Sequence, residues 1–400
     1  MRLSFRDPIH GFIRADELET ALIQSRPMQR LRFIRQLGLT FLIFPGAEHS
    51  RFSHVLGTMH LAGRIYDALA AKSGGRLPTA VDCLERRLVR VAALLHDIGH
   101  APFSHCAEDL FEDRIDHEEM TRRLIDTPEI QEIFETQGDG LESTEVQQVL
   151  SKQTTGTRRL LSDIITSELD VDKMDYLRRD SLYCGVAYGS YDLERLIDTV
   201  APIEDPETGE WRLGVDYGGV HALEALVMAR YYMFTQVYFN VTGKVMELHY
   251  AEWLRAAGMS WSSDPEIFLE HDDVSVYHTM RRSDNHHARA IVHRERYALA
   301  FETKEHLSPA ERQQFAELVP QLEQKFGSDN LLVDHSAKDP HSLKKNRVLV
   351  RGYDGSLQPM AETSDFIRHM SRIDSYRVYA PEAMRGEVRA EVRARFSPET

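Results

Sequence analysis

The sequence predicts a mainly α-helical protein that ends in a smaller α+β lobe. From about residue 15 to 265 the apolar side chains recur mostly at helical spacing, whereas strand-like runs and turn signals follow after that point. The 400 residues, of which 42% are hydrophobic, suffice for a large core and suit one large domain with a smaller companion. We therefore expect a helical domain over residues 1–265 and an α+β lobe over residues 266–400.

Two segments of the first region have the strongest helical pattern. In LERRLVRVAALLHDIG the apolar positions alternate in steps of four and three: Leu84, Leu88, Val91, Leu95 and Ile98. We expect Pro102 to end this helix, because the residue before a proline is disfavoured in helical geometry. A second long helical pattern, rich in aromatic residues, runs from Gly219 to about Ala257.

The elements of the C-terminal lobe are predicted from caps and turns. Ser308 begins a helix as its N-cap, with Pro309 in the first position and Glu311 completing a capping box. The run RVLVRGYDGSL reads as a strand followed by a turn at Asp354–Gly355, and YRVYAPEAMRGEVRAEV reads as a strand followed by a terminal helix.

Composition limits the classes of function. No apolar run approaches the ~20 residues of a membrane helix, and the N-terminus lacks the pattern of a signal peptide. The cysteines Cys83, Cys106 and Cys184 form no metal-type pair, so we expect a soluble, reducing, cytoplasmic setting. The formal net charge of −15 repels phosphate backbones, so nucleic-acid binding is not favoured.

The stretch LLHDIGHAPFSH carries three histidines and an aspartate within twelve residues. His96 and Asp97 point about 100° apart on a helix, so both reach one ion only if it lies close against the backbone. Imidazole and carboxylate together suit Mn, Fe, Zn or Mg. Taken alone, the pair is more typical of a helix end whose side chains hydrogen-bond to the backbone.

Two further segments place polar groups on common helical faces. His54 follows Arg51 by three residues, which puts both on one face. A second face offers two carboxylates, a cation and an aromatic ring: Asp172, Lys173, Tyr176 and Asp180. Each face taken alone is also typical of an ordinary charged helix.

The ordered set of these segments resembles the HD-domain deoxynucleoside triphosphate triphosphohydrolases, which include the dGTPase-like and the SAM-and-HD-domain enzymes. Six motifs carry the resemblance over about residues 1–260: DPIHG (7–11), QRLRFIRQLG (29–38), FPGAEHSRFSH (44–54), HDIGHAPFSH (96–105), DVDKMDYLRRD (170–180) and GKVME (243–247). The resemblance implies an HD-domain helical phosphohydrolase core in front of the C-terminal lobe.

The resemblance implies a role for each matched position. It implies four ligands of a divalent metal ion, with Mn, Fe, Mg, Zn and Ni not distinguished: His54, His96, Asp97 and Asp172. It implies phosphate contacts from Arg51 and Lys173, and sugar contacts from Gln36, Leu37, Tyr176 and Asp180. It implies further nucleotide contacts from Arg230 and Tyr238, and active-site histidines at His100, His105 and His117.

The chemistry of phosphate ester hydrolysis agrees with these roles. A bound metal neutralises phosphate charge and activates water, and Arg51 and Lys173 would hold the remaining negative charge. The leaving oxygen needs a proton from a group that titrates near neutrality, which indicates histidine. His105, with Glu108 three residues further on, resembles the family's histidine–carboxylate dyad, and His117 is the other candidate.

We therefore expect a metal-dependent enzyme that splits a deoxynucleoside triphosphate into deoxynucleoside and inorganic triphosphate. Two alternatives stay open: an HD phosphohydrolase or phosphodiesterase acting on another nucleotide or on single-stranded nucleic acid, and a nucleotide-sensing protein. The resemblance also implies a homo-oligomer and a regulatory nucleotide near Gln29 and Arg32. Gln24 stands where the family reads a guanine edge with an acidic residue, so a guanine-specific activator is not expected.

Overall fold

The protein folds as predicted into a mainly helical body with a smaller α+β region. The computed structural model describes residues 3–339, 341, 343 and 348–396. The chain begins with an antiparallel hairpin of β1 (Leu3–Asp7) and β2 (Gly11–Ala15). The DPIHG motif forms the turn of this hairpin and its flanking residues.

Ten helices follow before the next strand. They are α1 (Glu17–Gln24), α2 (Arg26–Arg30), α3 (Arg51–Lys72), α4 (Leu84–Leu95), α5 (His117–Ile125), α6 (Pro128–Gln137), α7 (Ser143–Leu150), α8 (Arg158–Ile165), α9 (Val171–Cys184) and α10 (Leu193–Thr199). Short 3-10 segments lie at Leu31–Phe33, Gly38–Leu42, Ser104–Leu110 and Glu112–Arg114. Helices α3, α4, α8 and α9 pack against one another around a core that includes Met59, Leu94 and Leu177.

The middle of the chain contains a hairpin and a further set of helices. The hairpin joins β3 (Val200–Glu204) to β4 (Trp211–Asp216). A 3-10 turn (Tyr217–Gly219) leads into α11 (Val220–Met233), a π-helical segment (Phe234–Tyr238), α12 (Val241–Ala256), α13 (Pro265–Phe268), α14 (Asp273–Arg281) and α15 (His286–Val292).

The C-terminal region is mixed. Its elements are β5 (Ala298–Glu302), α16 (Pro309–Phe326), a 3-10 turn (Ser328–Asn330), β6 (Leu332–Lys338), β7 (Leu349–Arg351), β8 (Leu357–Pro359), α17 (Met360–Thr363), α18 (Asp365–His369), β9 (Ile373–Ala380) and α19 (Arg385–Arg395). Strand β9 lies between β5 and β6 in an antiparallel sheet. A second sheet has the order β3-β4-β7-β8, in which β4 and β7 run parallel.

Most sequence predictions for this region are confirmed. Ser308 caps α16 and forms the reciprocal capping box with Glu311. Asp354–Gly355 lies in the turn between β7 and β8, although Arg347, the first residue of the predicted run, lies outside the described residues. The second sheet joins strands from before and after residue 265, and the domain division at that residue stays a prediction.

Two predictions about the helical region were wrong in detail, and one hairpin there was not predicted. Helix α4 ends at Leu95 rather than near Pro102, because the chain turns sharply so that Gly99 lies against α5. A Cβ atom at Gly99 would lie 2.2 Å from the carbonyl oxygen of His117. The pattern from Gly219 to Ala257 is interrupted by the π-helical segment, and α12 restarts at the N-cap Asn240. The β3–β4 hairpin lies in a region predicted to be mostly helical.

Candidate active site

Four buried or partly buried ligand-type side chains converge from three helices. His54 lies in the first turn of α3, His96 and Asp97 in the turn after α4, and Asp172 in the first turn of α9. His54 Nε2 lies 3.0 Å from Asp172 Oδ1 and 3.8 Å from Asp97 Oδ2. His96 Nε2 lies 3.3 Å from Asp97 Oδ1 and 3.6 Å from Asp172 Oδ1. Ligand atoms about 2.0–2.2 Å from one cation have this mutual spacing.

The Nδ1 hydrogen bonds of the two histidines turn their Nε2 atoms toward the carboxylates of the cluster, where His54 Nε2 hydrogen-bonds to Asp172 Oδ1. His96 Nδ1 lies 2.8 Å from the carbonyl oxygen of Ala93, which only accepts, so Nδ1 carries the proton. His96 Nε2 is buried and has no hydrogen-bond partner among the described residues. His54 Nδ1 lies 2.8 Å from Asp175 Oδ2, which fixes that ring in the same way. The donor set therefore fits a divalent cation with mixed nitrogen and oxygen ligands.

The electrostatics of the cluster favour positive charge. Burial lowers the pKa of His54, but its hydrogen bonds to Asp172 and Asp175 outweigh this and raise it to about 10. Burial raises the pKa of Asp97, but the charges of His96 and Arg51 outweigh this and hold it well below its usual range. The carboxylates of Asp97 and Asp172 are thus ionised, and the proton on His54 lies where a cation would bind.

A buried network behind His54 connects the cluster to the N-terminal hairpin. Asp175 Oδ1 lies 2.7 Å from His10 Nε2, and the same carboxylate accepts hydrogen bonds of 2.7 and 2.9 Å from Arg179. Arg179 also donates to Asp7 across 2.8 Å. The side chains of His10, Asp175 and Arg179 are at most 1% exposed. Asp7 and His10 of the DPIHG motif therefore hold the carboxylate that orients His54.

The predicted phosphate contacts lie beside the cluster. Arg51 forms an ion pair with Asp97 and donates from Nε to Ser104 Oγ across 2.9 Å. Lys173 Nζ donates to Asp170 Oδ2 at 2.7 Å and to the carbonyl oxygen of Ser167 at 2.8 Å. Asp170 is also the N-cap of α9, so the helix start and the lysine share one carboxylate.

Three histidines and Glu108 form a second cluster. Glu108 Oε2 lies 2.9 Å from His105 Nδ1, and the other carboxylate oxygen hydrogen-bonds to His117 Nδ1. The ring of His100 stacks on that of His117 with a centroid distance of 4.1 Å. The sequence analysis paired Glu108 with His105 alone, whereas in the structure the Glu108 carboxylate hydrogen-bonds to both His105 and His117.

The shared carboxylate sets the charge of this cluster. Burial raises the pKa of Glu108, but hydrogen bonds from His105 and His117 outweigh this and hold it well below its usual range. Burial lowers the pKa of His117, but Glu108 outweighs this and raises it. Burial and the Arg51 charge hold the pKa of His100 well below its usual range, so His100 is neutral while His117 favours the cation.

The predicted sugar-facing residues line the same cavity, whose volume is about 900 Å³. Asp180 accepts from Tyr238 Oη at 2.8 Å and lies 2.9 Å from His49 Nε2. The rings of Tyr176 and Tyr238 lie 6.3 Å apart between centroids. Gln36 Oε1 is buried and has no hydrogen-bond partner among the described residues. A buried acceptor without a partner beside a cavity is typical of a site that a ligand completes.

The structure brings the predicted site together around one cavity. Its wall includes every predicted substrate-binding residue and all three active-site histidines: Gln36, Leu37, Arg51, Lys173, Tyr176, Asp180, Arg230, Tyr238, His100, His105 and His117. His54 lies behind the wall and is fully buried. Gln29 and Arg32 lie elsewhere, where Arg32 Nε donates to Gln29 Oε1 at 2.9 Å and its guanidinium lies 3.6 Å from the Phe52 ring centroid.

Sequence reasoning missed several residues of the site. Asp175 and His49 orient predicted residues, and both lie inside motifs that had been recognised. Asp175 stands three residues after Asp172, a spacing that would have placed both on one helical face. Glu168 lies 3.3 Å from Arg230, and Lys338 reaches the cavity from the C-terminal sheet. Lys338 has no motif around it, so only the fold identifies it.

Comparisons with known proteins agree with this geometry. Residues 51–180 match the HD domain model, and residues 191–397 match the HD associated region model. An uncharacterized Bacillus subtilis protein, YwfO, is 39% identical over 66% of this chain and 59% of its own length. A Dictyostelium discoideum protein named deoxynucleoside triphosphate triphosphohydrolase SAMHD1 homolog is 30% identical over 67% of this chain and 52% of its own length.

A solved structure extends the likeness to nearly the whole chain. The crystal structure of a hypothetical protein from Aquifex aeolicus matches with a TM-score of 0.83 and 32% identity, covering 98% of this chain and all of that one. The chain spans about three fifths of the length of two curated relatives that it matches, the Bacillus subtilis protein and an uncharacterized protein of Methanocaldococcus jannaschii. The described residues contain no helix that is long and apolar enough to cross a membrane.

Proposed function

The chain belongs to the HD-domain family that carries the HD associated region, a group of phosphohydrolases, and from that premise we propose that it hydrolyses deoxynucleoside triphosphates to deoxynucleoside and inorganic triphosphate. One observation carries the proposal. A single cavity presents His96, Asp97 and Asp172, with His54 buried behind them, together with the cations Arg51 and Lys173 and the side chains of Tyr176 and Asp180.

In the proposed reaction a water oxygen attacks the α-phosphorus and the bond to the 5′ oxygen breaks. His54, His96, Asp97 and Asp172 would hold a divalent cation, which supplies charge neutralisation and water activation. Arg51 would contact phosphate oxygens from its position beside Asp97.

The second cluster would then complete the reaction. His105 would protonate the 5′ oxygen, with Glu108 orienting its ring. His117, which Glu108 favours as a cation, would bind the phosphate next to it.

The sugar wall would select the deoxyribose. The carboxylate of Asp180 is held by Tyr238 and His49, so its direction is fixed before a ligand arrives. Gln36 Oε1 would accept from the 3′ hydroxyl, because its buried oxygen has no partner among the described residues. An oligomer, and a regulatory nucleotide near Gln29 and Arg32, stay predictions of the resemblance.

Identifying the products tests the proposal directly. The purified chain is incubated with each dNTP singly and with all four together, with Mn²⁺ or Mg²⁺, and the products are separated by ion-exchange chromatography. Deoxynucleoside and tripolyphosphate are expected in equal amounts, with slower turnover of GTP than of dGTP. Deoxynucleoside monophosphate and pyrophosphate, or no turnover of any nucleotide, would rule it out.

Removal of the His10 side chain is expected to weaken metal binding from a distance. In His10→Ala one of the hydrogen bonds that fix Asp175 is lost, so His54 is held less firmly. Loss of such an outer partner typically weakens metal affinity about 10- to 100-fold. Titration with Mn²⁺ in a calorimeter measures the change, and Ser4→Ala on the exposed face of the same hairpin is the control. Equal Mn²⁺ affinity in the folded variant and the wild type would contradict the link.

Glu108→Gln is expected to move the alkaline limit of activity to lower pH. Glu108 raises the pKa of His117, so the imidazolium persists to higher pH in the wild type. Without the carboxylate the largest effect that raises the pKa of His117 is lost, and the cation is lost as the pH rises through a lower pKa. The pH profile of kcat/KM measures the shift, with Asp109→Asn, which changes an exposed carboxylate next to Glu108, as the control. Coincident alkaline limbs would show that Glu108 does not set the charge of the site.

A further inference from the structure

Lys338 brings a cation from the C-terminal sheet to the wall of the active-site cavity. It is the last residue of β6, whose strand pairs along its whole length with β9. Its Nζ lies 5.3 Å from the ring centroid of Phe234, which lines the same cavity. The lobe thus forms part of a pocket whose other described wall residues come from the helical region.

The opposite end of β6 is fixed to the helical body. Asp334 of β6 lies 3.8 Å from Nζ of Lys244 in α12, and Lys244 pairs with Glu247 across 2.7 Å. The hydroxyl of Tyr379 on β9 donates to the carbonyl oxygen of Val241 across 2.9 Å. Because both neighbouring strands are anchored to α12, the position of Lys338 at the cavity is a property of the fold.

The charges around Lys338 are unbalanced. Arg230 faces Glu168 at 3.3 Å and Lys173 faces Asp170 at 2.7 Å. No carboxylate of the described part of the chain lies within ion-pairing distance of Lys338. Burial lowers the pKa of Lys338, and the charges of Arg230 and Lys173 lower it further. Cations that repel one another along one wall indicate an anion that bridges them.

The neighbours of Lys338 also indicate which part of an anion it faces. The largest charge effects on it come from Arg230 and Lys173, which lower its pKa, and from Glu168 and Asp339, which raise it, and none of these residues belongs to the His54 or His105 clusters. The cavity wall thus carries a row of three cations, Lys173, Arg230 and Lys338, and Lys173 directly follows Asp172 of the metal cluster. A phosphate chain whose reacting phosphorus lies at the metal cluster would extend along this row.

We propose that Lys338 binds the terminal phosphate of the triphosphate, so that the C-terminal lobe supplies part of the substrate site. The proposal rests on the proposed function, and it adds that the site recognises the number of phosphate groups in the substrate. A lysine is suited to the role because its flexible stem carries a compact charge to an exposed anion. A lysine at this place favours a triphosphate over shorter phosphate chains.

The test uses the full chain and inorganic tripolyphosphate, which needs no turnover. Its dissociation constant is measured by calorimetry at fixed Mg²⁺ for the wild type, Lys338→Ala and Lys338→Arg. Loss of a hydrogen bond to a charged phosphate is expected to weaken binding roughly 10- to 100-fold in Lys338→Ala. Lys338→Arg should retain most of the affinity, and orthophosphate binding should not change. Lys325→Ala, which removes an exposed lysine of the same lobe, is the control.

The outcomes separate this proposal from the proposed function. Equal tripolyphosphate affinity in the wild type and Lys338→Ala, or no binding to either, would overturn the role of Lys338 even if dNTPs are hydrolysed. Selective loss of tripolyphosphate binding would support it even if the chain turned over no dNTP. Where turnover is measurable, a raised KM with unchanged kcat is expected for Lys338→Ala, and an unchanged KM would refute the contact.

Discussion

Asp97→Ala is expected to abolish metal binding and to lower kcat/KM on the order of 10³-fold or more, while the fold survives. Asp97 lies between the imidazoles of His54 and His96 and forms an ion pair with Arg51. Its loss therefore removes a proposed metal ligand and also the partner that positions Arg51, the proposed phosphate contact. The core around it, which includes Met59 and Leu94, is untouched. Mn²⁺ titration by calorimetry and the hydrolysis rate measure the two effects.

Thermal unfolding separates this loss from a loss of structure. A ligand that binds only the folded state raises the free energy of unfolding by RT ln(1 + [L]/Kd). Mn²⁺ should therefore raise the Tm of the wild type and leave the Tm of Asp97→Ala unchanged. Asp97→Asn keeps the size of the side chain and removes its charge, and should behave like Asp97→Ala. Asp109→Ala, which removes an exposed carboxylate paired with Arg255, should respond like the wild type. A variant at Asp97 that still binds Mn²⁺ would refute the ligand assignment.

The sequence predicted the parts of this site that depend on local spacing. His54 and Arg51 lie one helical turn apart in α3, and Asp172 and Lys173 open α9, so periodicity alone placed them on shared faces. The fold class and the family are confirmed, as are the caps and turns of the C-terminal lobe. The helical faces, caps and turns each depend on about ten consecutive residues, so local backbone geometry is enough to predict them.

Other features depend on contacts between distant segments. His10 reaches Asp175, which stands 165 positions later, and Lys338 reaches the cavity by way of strand pairing. The early end of α4 has the same origin, because close packing of Gly99 against α5 overrides the apolar stripe that continues to Ile98. Phe103 and Ser104 adopt left-handed backbone with φ of 58° and 59°, which their types do not favour. Ser104 is held there by Arg51 and by the carbonyl oxygen of Arg35.

His105→Ala and His117→Ala are expected to respond differently to a substrate whose leaving group needs no proton. If His105 protonates the 5′ oxygen, its loss should slow dNTP hydrolysis about 10²- to 10⁴-fold, a typical contribution of general acid catalysis. A dNTP with sulfur in place of the 5′ bridging oxygen releases a thiolate, which needs no proton to leave, so His105→Ala should be far less impaired with it. His117 is placed to bind phosphate as a cation, so His117→Ala should lose activity with both substrates.

The geometry gives a reason for this division of roles. The side chain of His105 is 62% exposed and that of His117 is 23% exposed, so His105 has more freedom to follow a leaving group out of the cavity. His117 stacks on the neutral ring of His100, whose Nε2 lies 3.2 Å from Asp97 Oδ1, and this stacking keeps His117 in place. Equal losses of His105→Ala on the two substrates would exclude it as the acid. Rescue of His117→Ala by the 5′-thio substrate, with none for His105→Ala, would exchange the two roles and leave Glu108 as the carboxylate that serves both.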